Sequence, residues 1–198
     1  MTRWLNDIQL TGPSVQLEPM TIAHSEELTE AAKDGQLWNL WYTTVPAPDG
    51  VAGFIQKATD EYEEGKSLPF IIRRKETGKV VGSTRFLNVD AQHKRLEIGH
   101  TFYGKSTQRT GINTECKFLL LEYAFETLGC NAVEFRTHWH NHPSRRAIER
   151  LGAKQDGVLR NHKIDRFGIM RDTVVYSILN TEWPTVKKSL EFMMNRVY

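Results

Sequence analysis

Apolar and polar positions alternate over Val15-Gln16-Leu17-Glu18, which predicts a first strand. Helix formers fill Thr21 to Asp34, and Gly35 is placed to stop them. Gln36 to Trp41 is short and aromatic, and Thr43 to Gly50 has the Pro, Asp and Gly content of a loop. Val51 to Gly65 predicts an amphipathic helix closed by its glycine. Leu68 to Arg74 and Val80 to Val89 flank Glu76-Thr77-Gly78-Lys79 and predict a hairpin, with Leu96 to Tyr103 as a third strand. From Asn113 to Leu128 the period changes. Phe118, Leu121, Ala124, Phe125 and Leu128 recur at helical spacing, and Gly129 follows.

Ala132 to Thr137 returns to strand, and Pro143 to Leu151 is a short helix stopped by Gly152. Val158 to Ile164 and Thr173 to Leu179 close the sheet, and Thr181 to Asn195 predicts a C-terminal helix. The order strand 96–103, helix 113–128, strand 132–137 is a βαβ unit whose strands can lie parallel. The strands before it read as antiparallel. The expected fold class is therefore α/β (α+β), a mixed central sheet of about six to seven strands flanked by helices. The 198 residues suit one domain, 1–198.

Composition removes several classes. A net charge of +2 is too balanced for a dedicated nucleic-acid binder, although Lys94, Arg95, Lys105, Arg109, Arg145 and Arg146 leave a local basic groove open. The two cysteines, Cys116 and Cys130, make no disulfide framework or zinc spacing and read as reduced thiols of a cytoplasmic protein. The first residues lack the continuous apolar core of a secretion signal, and no stretch reaches the ~20 apolar residues of a membrane span.

Gln108-Arg109-Thr110-Gly111-Ile112-Asn113-Thr114 joins a strand to the longest helix. The first N–H groups of a helix lack internal partners, and the helix dipole adds partial positive charge, so an anion such as a pyrophosphate suits that end. Gly111 removes a side chain where backbone would approach oxygen atoms. Arg109 brings charge, and Asn113 or Thr114 is a candidate cap. Neither GxxxxGK[ST] nor GxGxxG occurs. A well-capped helix after a plain loop is the reading without a ligand.

On these residues the sequence resembles the GNAT N-acetyltransferase superfamily, most closely the branch of the RimJ and RimL ribosomal-protein acetyltransferases. Gln108 to Asn113 is similar to the family loop Q/R-x-x-G-x-G/A, with Asn113 at the last, usually small, position. Asn141-x-x-Ser144-Arg145 followed by Leu151-Gly152-Ala153 resembles a second motif, with Ala153 where an aromatic residue is usual. Gly157-Val158-Leu159-Arg160 is similar to a frequent feature of the branch. The order of elements agrees from about residue 14 to residue 179.

The resemblance implies a fold and a chemistry. Acetyl-CoA, with no metal, would lie in a V between splayed strands 96–103 and 132–137. Main chain near Thr101, Phe102 and Tyr103 would pair with the pantetheine arm, and Gln108, Arg109, Thr110, Gly111, Ile112, Asn113 and Thr114 would surround the pyrophosphate. Asn141, Ser144 and Arg145 would approach from the other side. A primary amine, on a small molecule or a protein N-terminus, would attack the thioester directly. Glu97, 11 residues before Gln108, is then the candidate general base, with pairing to Arg85 or Arg95 as the alternative. Ser144 is the candidate partner of the leaving thiolate, with capping of its own helix as the alternative. Some relatives carry a tyrosine acid where this chain has Ile148. A protein of this fold that binds CoA without transferring it is the competing reading.

Other residues are weighed beside these. His138, His140 and His142 alternate at a strand end, and His100 lies on the preceding strand; substrate contact is favoured over metal. Cys116 reads as a half-buried helix residue rather than an acyl carrier. Trp38, Trp41 and Tyr42 either line the acceptor pocket or pack a helix pair. The last helix, with Trp183, Leu190, Phe192 and Met193, either docks on the domain or supports a homodimer.

Overall fold

The computed structural model describes residues 4–195. Its strands are β1 (Leu10–Thr11), β2 (Val15–Pro19), β3 (Leu68–Arg74), β4 (Val80–Asp90), β5 (Arg95–Tyr103), β6 (Ala132–His138), β7 (Lys154–Ile164) and β8 (Met170–Leu179). Its helices are α1 (Ser25–Lys33), α2 (Val51–Glu63), α3 (Ile112–Glu122), α4 (His142–Arg150) and α5 (Trp183–Met194). All eight strands form one sheet in the order β1-β2-β3-β4-β5-β6-β8-β7. The sheet therefore has one strand beyond the expected range. That strand is β1, two residues paired antiparallel to β2 and too short to show a period.

The expected hairpin is β3–β4, and the β5–α3–β6 unit contains the parallel pair of the sheet. Two elements differ in detail. The first helix begins at Ser25 after a 3-10 turn over Ile22–His24. The long helix is α-helical only to Glu122 and ends in a π turn, Tyr123–Thr127.

Each face of the sheet carries its own core. Leu96, Ile98 and Tyr103 of β5 join Phe135 of β6 and Val174, Tyr176 and Ile178 of β8 in a core shared with α3, α4 and α5. Phe102 points the other way, with Ile71 and Val80, into a core built by α1 and α2. Successive side chains of a strand alternate in face, so Glu97, Arg136, His138, Arg171 and Thr173 lie on the α2 face. The α1–α2 core ends at β5, and the α2 face of β6, β8 and β7 is left open.

Candidate active site

β5 and β6 pair over only three residues, Arg95 to Glu97 against Ala132 to Glu134. Beyond that point β5 follows β4 to Tyr103 while β6 follows β8 to His138. The two strands separate, and main-chain groups along both lips of the gap lose their sheet partners. Backbone polar groups require partners, so such a gap suits an extended ligand that supplies them.

A bulge marks the opening. Gly82 and Ser83 of β4 face Tyr103 and Phe102, whereas Arg85 faces Gly99, so β5 carries one extra residue. His100 lies within it, at φ 47°, in the left-handed region. Gly82 is required opposite, since a Cβ there would stand 2.0 Å from the carbonyl oxygen of Phe102. The cleft at this gap holds about 1600 Å³. That exceeds the ~300–1,000 Å³ of a pocket for one drug-sized ligand.

Glu97 sits at the apex, on the last paired position of β5. It is only 6% exposed, yet it lines the cleft. The Asn88 amide donates to its Oε2 at 2.7 Å, and Arg136 Nε lies 3.5 Å from the same oxygen. Burial raises its carboxyl above the ordinary range, while Asn88 and Arg136 oppose the rise. Neither expected alternative partner holds it. Arg85 pairs with Glu61 at 3.1 Å, and Arg95 with Glu134 at 2.7 Å.

The 108–114 loop lies at the end of β5. The 3-10 turn Lys105–Thr107 precedes it, anchored where Asp34 accepts from the Ser106 N–H and hydroxyl at 2.9 and 2.6 Å. The Gln108 amide donates to the Tyr103 carbonyl at 3.2 Å. Gln108, Arg109 and Asn113 line the cleft, with Arg109 in the left-handed region at φ 63°. Thr110, Gly111 and Ile112 line a smaller pocket beside Ser14 and Arg74. The expected cap by Asn113 or Thr114 is absent. Gly111 is the N-cap, without a side-chain bond, and the buried Thr114 hydroxyl accepts from Arg150 at 2.9 Å.

On the opposite lip Asn141 caps α4, accepting from the Ser144 N–H at 3.1 Å. The cap is therefore Asn141 rather than Ser144, and both residues line the cleft. Arg145 faces elsewhere. Its Nε donates to the Tyr176 hydroxyl at 3.1 Å, and its guanidinium stacks over Trp139 at 4.5 Å. Arg146 lines the cleft in its place, one residue on and a third of a helical turn around. Thr101, Phe102 and Tyr103 line the other lip, and Ile148 closes the inner end.

Sequence reasoning missed Lys117. Its ammonium lies on the α3 face beneath the bulge, 2.7 Å from the Thr101 hydroxyl and 3.2 Å from that of Thr84. It is buried, and it lines the cleft. Burial pushes its pKa down to about 8. Cys116 beside it is fully rather than half buried, with its thiol pushed up to about 12, so it stays protonated and inert as a nucleophile.

The aromatic residues divide. Tyr42 lines the cleft, Trp41 packs on the rings of His138 and His140 at 5.1 and 5.5 Å, and the Trp38 carbonyl accepts from Arg166 at 2.8 Å. That last bond ties the tip of the β7–β8 hairpin across the open end of the α2 face. Among the described residues, no group of three or more His, Cys, Asp and Glu is arranged to hold a metal ion, and no helix is long and apolar enough to cross a membrane.

A cleft that passes through a sheet lets one ligand enter from one face and meet a second reactant on the other, which is the form of a two-substrate transferase. The family model for the acetyltransferase (GNAT) domain matches residues 14–154, and the chain belongs to that family. It is 30% identical over 129 residues to an uncharacterized N-acetyltransferase, p20, of Bacillus licheniformis, covering 65% of this chain and 71% of that one. A GCN5-related N-acetyltransferase from Brucella melitensis superposes with a TM-score of 0.86 at 30% identity, over 96% of this chain and 86% of that one. RimJ of Mycobacterium smegmatis, solved with CoA-disulfide, shares the fold with a TM-score of 0.77 at 20% identity, over 94% and 93% of the two chains. The chain is thus a GNAT acetyltransferase, and the donor used by that family is acetyl-CoA.

Proposed function

We propose that this protein transfers the acetyl group of acetyl-CoA to a primary amine by direct attack within a ternary complex. The observation that carries this reading is the separation of β5 from β6 immediately after Glu97 and Glu134. It leaves an extended slot with a buried carboxylate at its apex.

The residues present fit the donor. Main chain from Ile98 to Tyr103 offers hydrogen bonds to the amide groups of a pantetheine arm. Arg109, Lys105 and Arg146 supply positive charge at the phosphate end, and Asn141 and Ser144 flank the arm from α4. Acetyl-CoA supplies an activated acetyl thioester, whose carbon bonds to the amine nitrogen and whose C–S bond breaks to release CoA thiol.

The chain's own groups handle protons and charge. Glu97 accepts the proton that the amine loses, directly or through one water. Its raised pKa brings that function closer to neutrality. The bulged main chain near Thr101 and Phe102 donates to the developing oxyanion, and the Lys117 ammonium beneath Thr101 favours the same negative charge. The Ser144 hydroxyl hydrogen-bonds the departing sulfur. Ile148 offers no proton, and a thiolate leaves without a strong acid.

The test is thiol release from acetyl-CoA with a panel of primary amines, with mass spectrometry of the product. Amine-dependent release with an acetylated amine supports the reading. CoA binding without release for any amine, unaffected by Glu97→Gln, would replace it with a CoA-binding protein that performs no transfer.

A further inference from the structure

The α2 face of the cleft, where the acceptor would meet the thioester, carries cations that no carboxylate pairs with directly; Glu97 and Asp165 act on Lys163 and Arg171 only across longer distances. Its ion pairs cancel first: Arg85 with Glu61, Arg136 with Glu134 and Glu97, Arg95 with Glu134. Lys57, Lys163 and Arg171 remain, all lining the cleft, and among the described residues none has a carboxylate within ion-pairing distance. Lys163 and Arg171 stand directly opposite each other on β7 and β8. The Arg171 Nε–H is buried and has no hydrogen-bond partner. That nitrogen is enclosed by protein, and Arg171 meets the cleft through the rest of its side chain.

Three histidines on this face report the same field. His100 is pushed down to about 4, first by withdrawal from water and then by Arg85, Lys163 and Lys57. His162 is lowered by the same loss of water and by Lys163, Arg136 and Arg171. His138 is lowered by loss of water and by Arg171, against weaker support from Asp165 and Asp172. Protonated imidazoles are therefore disfavoured here, by burial first and by the neighbouring cations second.

We propose that the acceptor is a primary amine carrying a carboxylate or phosphate a few bonds from its nitrogen, held by Lys163 and Arg171 on the open half of the α2 face. This rests on the amine-acetylation reading above. The arrangement has a chemical use. Uncompensated positive charge attracts the anionic part of such a molecule and lowers the pKa of its ammonium, which must lose a proton before attack. A polyamine would meet repulsion from Lys163 and Arg171 on this half of the face, the carboxylates of Glu61, Glu64 and Glu97 lying elsewhere in the cleft. Asp165, at the hairpin tip, is too distant to pair with Arg171 and only moderates the field.

The experiment uses matched acceptors: L-leucine against L-leucinamide, phosphoethanolamine against ethanolamine, a dipeptide with aspartate second against its asparagine counterpart, and putrescine. The three pairs separate amino-acid, phosphate and peptide sources of the anion. The proposal expects at least tenfold higher kcat/KM for the anionic member of one pair. It also expects that preference to fall at least tenfold in Arg171→Met and in Lys163→Met, with the KM for acetyl-CoA unchanged. Equal rates within every pair, preference for putrescine, or a preference that both variants retain would overturn it.

Calorimetric binding of the same amines to the CoA-saturated protein decides the matter even without turnover. Anionic amines should bind and lose affinity in Arg171→Met. Equal binding of putrescine and the amides, or binding of no amine at all, would refute the proposal. Tight anionic binding without acetylation of any amine would leave the site standing and remove the transfer reading instead.

Discussion

The ammonium of Lys117 lies 2.7 Å from the Thr101 hydroxyl, and among the described residues no carboxylate is within ion-pairing distance of it. A buried charge without a counter-ion weakens the fold. The folded pKa, about 8, is below the ordinary lysine value of 10.5. Between those two pH values the unfolded chain binds more protons than the folded one, so stability rises with pH across that window. Lys117→Met, which leaves Thr84 and Thr101 hydrogen-bonded to each other at 2.8 Å, should therefore melt above the wild type at pH 7. The gap should narrow from pH 8 to 10.5. The same variant should lose roughly tenfold or more in kcat, since removing one charge-stabilising donor commonly costs ~10²–10³. Melting curves across pH and initial rates at saturating acetyl-CoA check both halves.

Glu97→Gln should lower kcat by ~10²–10⁴, the usual range for a general base. It should also abolish the rise of kcat/KM with pH on the acid side of the profile. Asn88 donates to the ionised form of this carboxyl and so holds its pKa down. Asn88→Ala should raise that pKa further and move the rising limb to higher pH. A pH–rate profile of the two variants and the wild type measures both effects. A limb left in place by Asn88→Ala would detach it from Glu97.

Gly99 sets the position of the same carboxylate. A Cβ at residue 99 would stand 2.8 Å from Glu97 Oε1 and 3.0 Å from a Leu87 methyl. The flexible end of a glutamate yields easily, so Gly99→Ala should fold and melt near the wild type. Its kcat should nevertheless fall, because displacement of a positioned group by about 1 Å can cost ~10²-fold. Thermal melting beside steady-state kinetics distinguishes this from simple destabilisation.

The sequence was most informative where one rule acted alone. Alternation placed β2, the turn Glu76-Thr77-Gly78-Lys79 between two strand-like runs placed the β3–β4 hairpin, and the change of period from Leu96 to Thr137 placed the β5–α3–β6 unit. Gln108 and Arg109 followed from the strand-to-helix loop and its resemblance to the family motif, Glu97, Asn141 and Ser144 from the resemblance alone, and all five line one cleft. What stayed hidden depends on long-range geometry. The bulge at His100 is visible only once β4 is laid against β5. Arg145 and Arg146 are adjacent and chemically equal, and only the rotation of α4, set by Tyr176 and Trp139, decides which faces the cleft. Lys117 interrupts the run Cys-Lys-Phe-Leu-Leu-Leu, where a lysine usually marks the wet side of a helix. The N-terminal half of α3 is instead buried on several sides, with Thr114, Glu115, Cys116 and Lys117 all enclosed. A charge inside so apolar a run was the available signal.

The 108–114 loop, proposed to hold the pyrophosphate, offers a clean test of place. A Cβ at Gly111 meets no protein atom within 4 Å, and its φ of −67° is one any residue adopts. Gly111→Val should therefore leave the unliganded melting temperature nearly unchanged while weakening acetyl-CoA binding at least several-fold, because the branched side chain occupies space beside the helix N-terminus. Unchanged affinity would move the phosphates away from this residue.

The most direct measurement is calorimetric titration of the wild type with acetyl-CoA, with ATP and NAD as controls. The account predicts saturable binding of acetyl-CoA with one site per chain, no comparable binding of either control, and a matching rise in melting temperature, since a ligand bound only by the folded state must stabilise it. No heat and no shift at high acetyl-CoA would contradict the account, because the gap between β5 and β6 would then have no ligand to complete it.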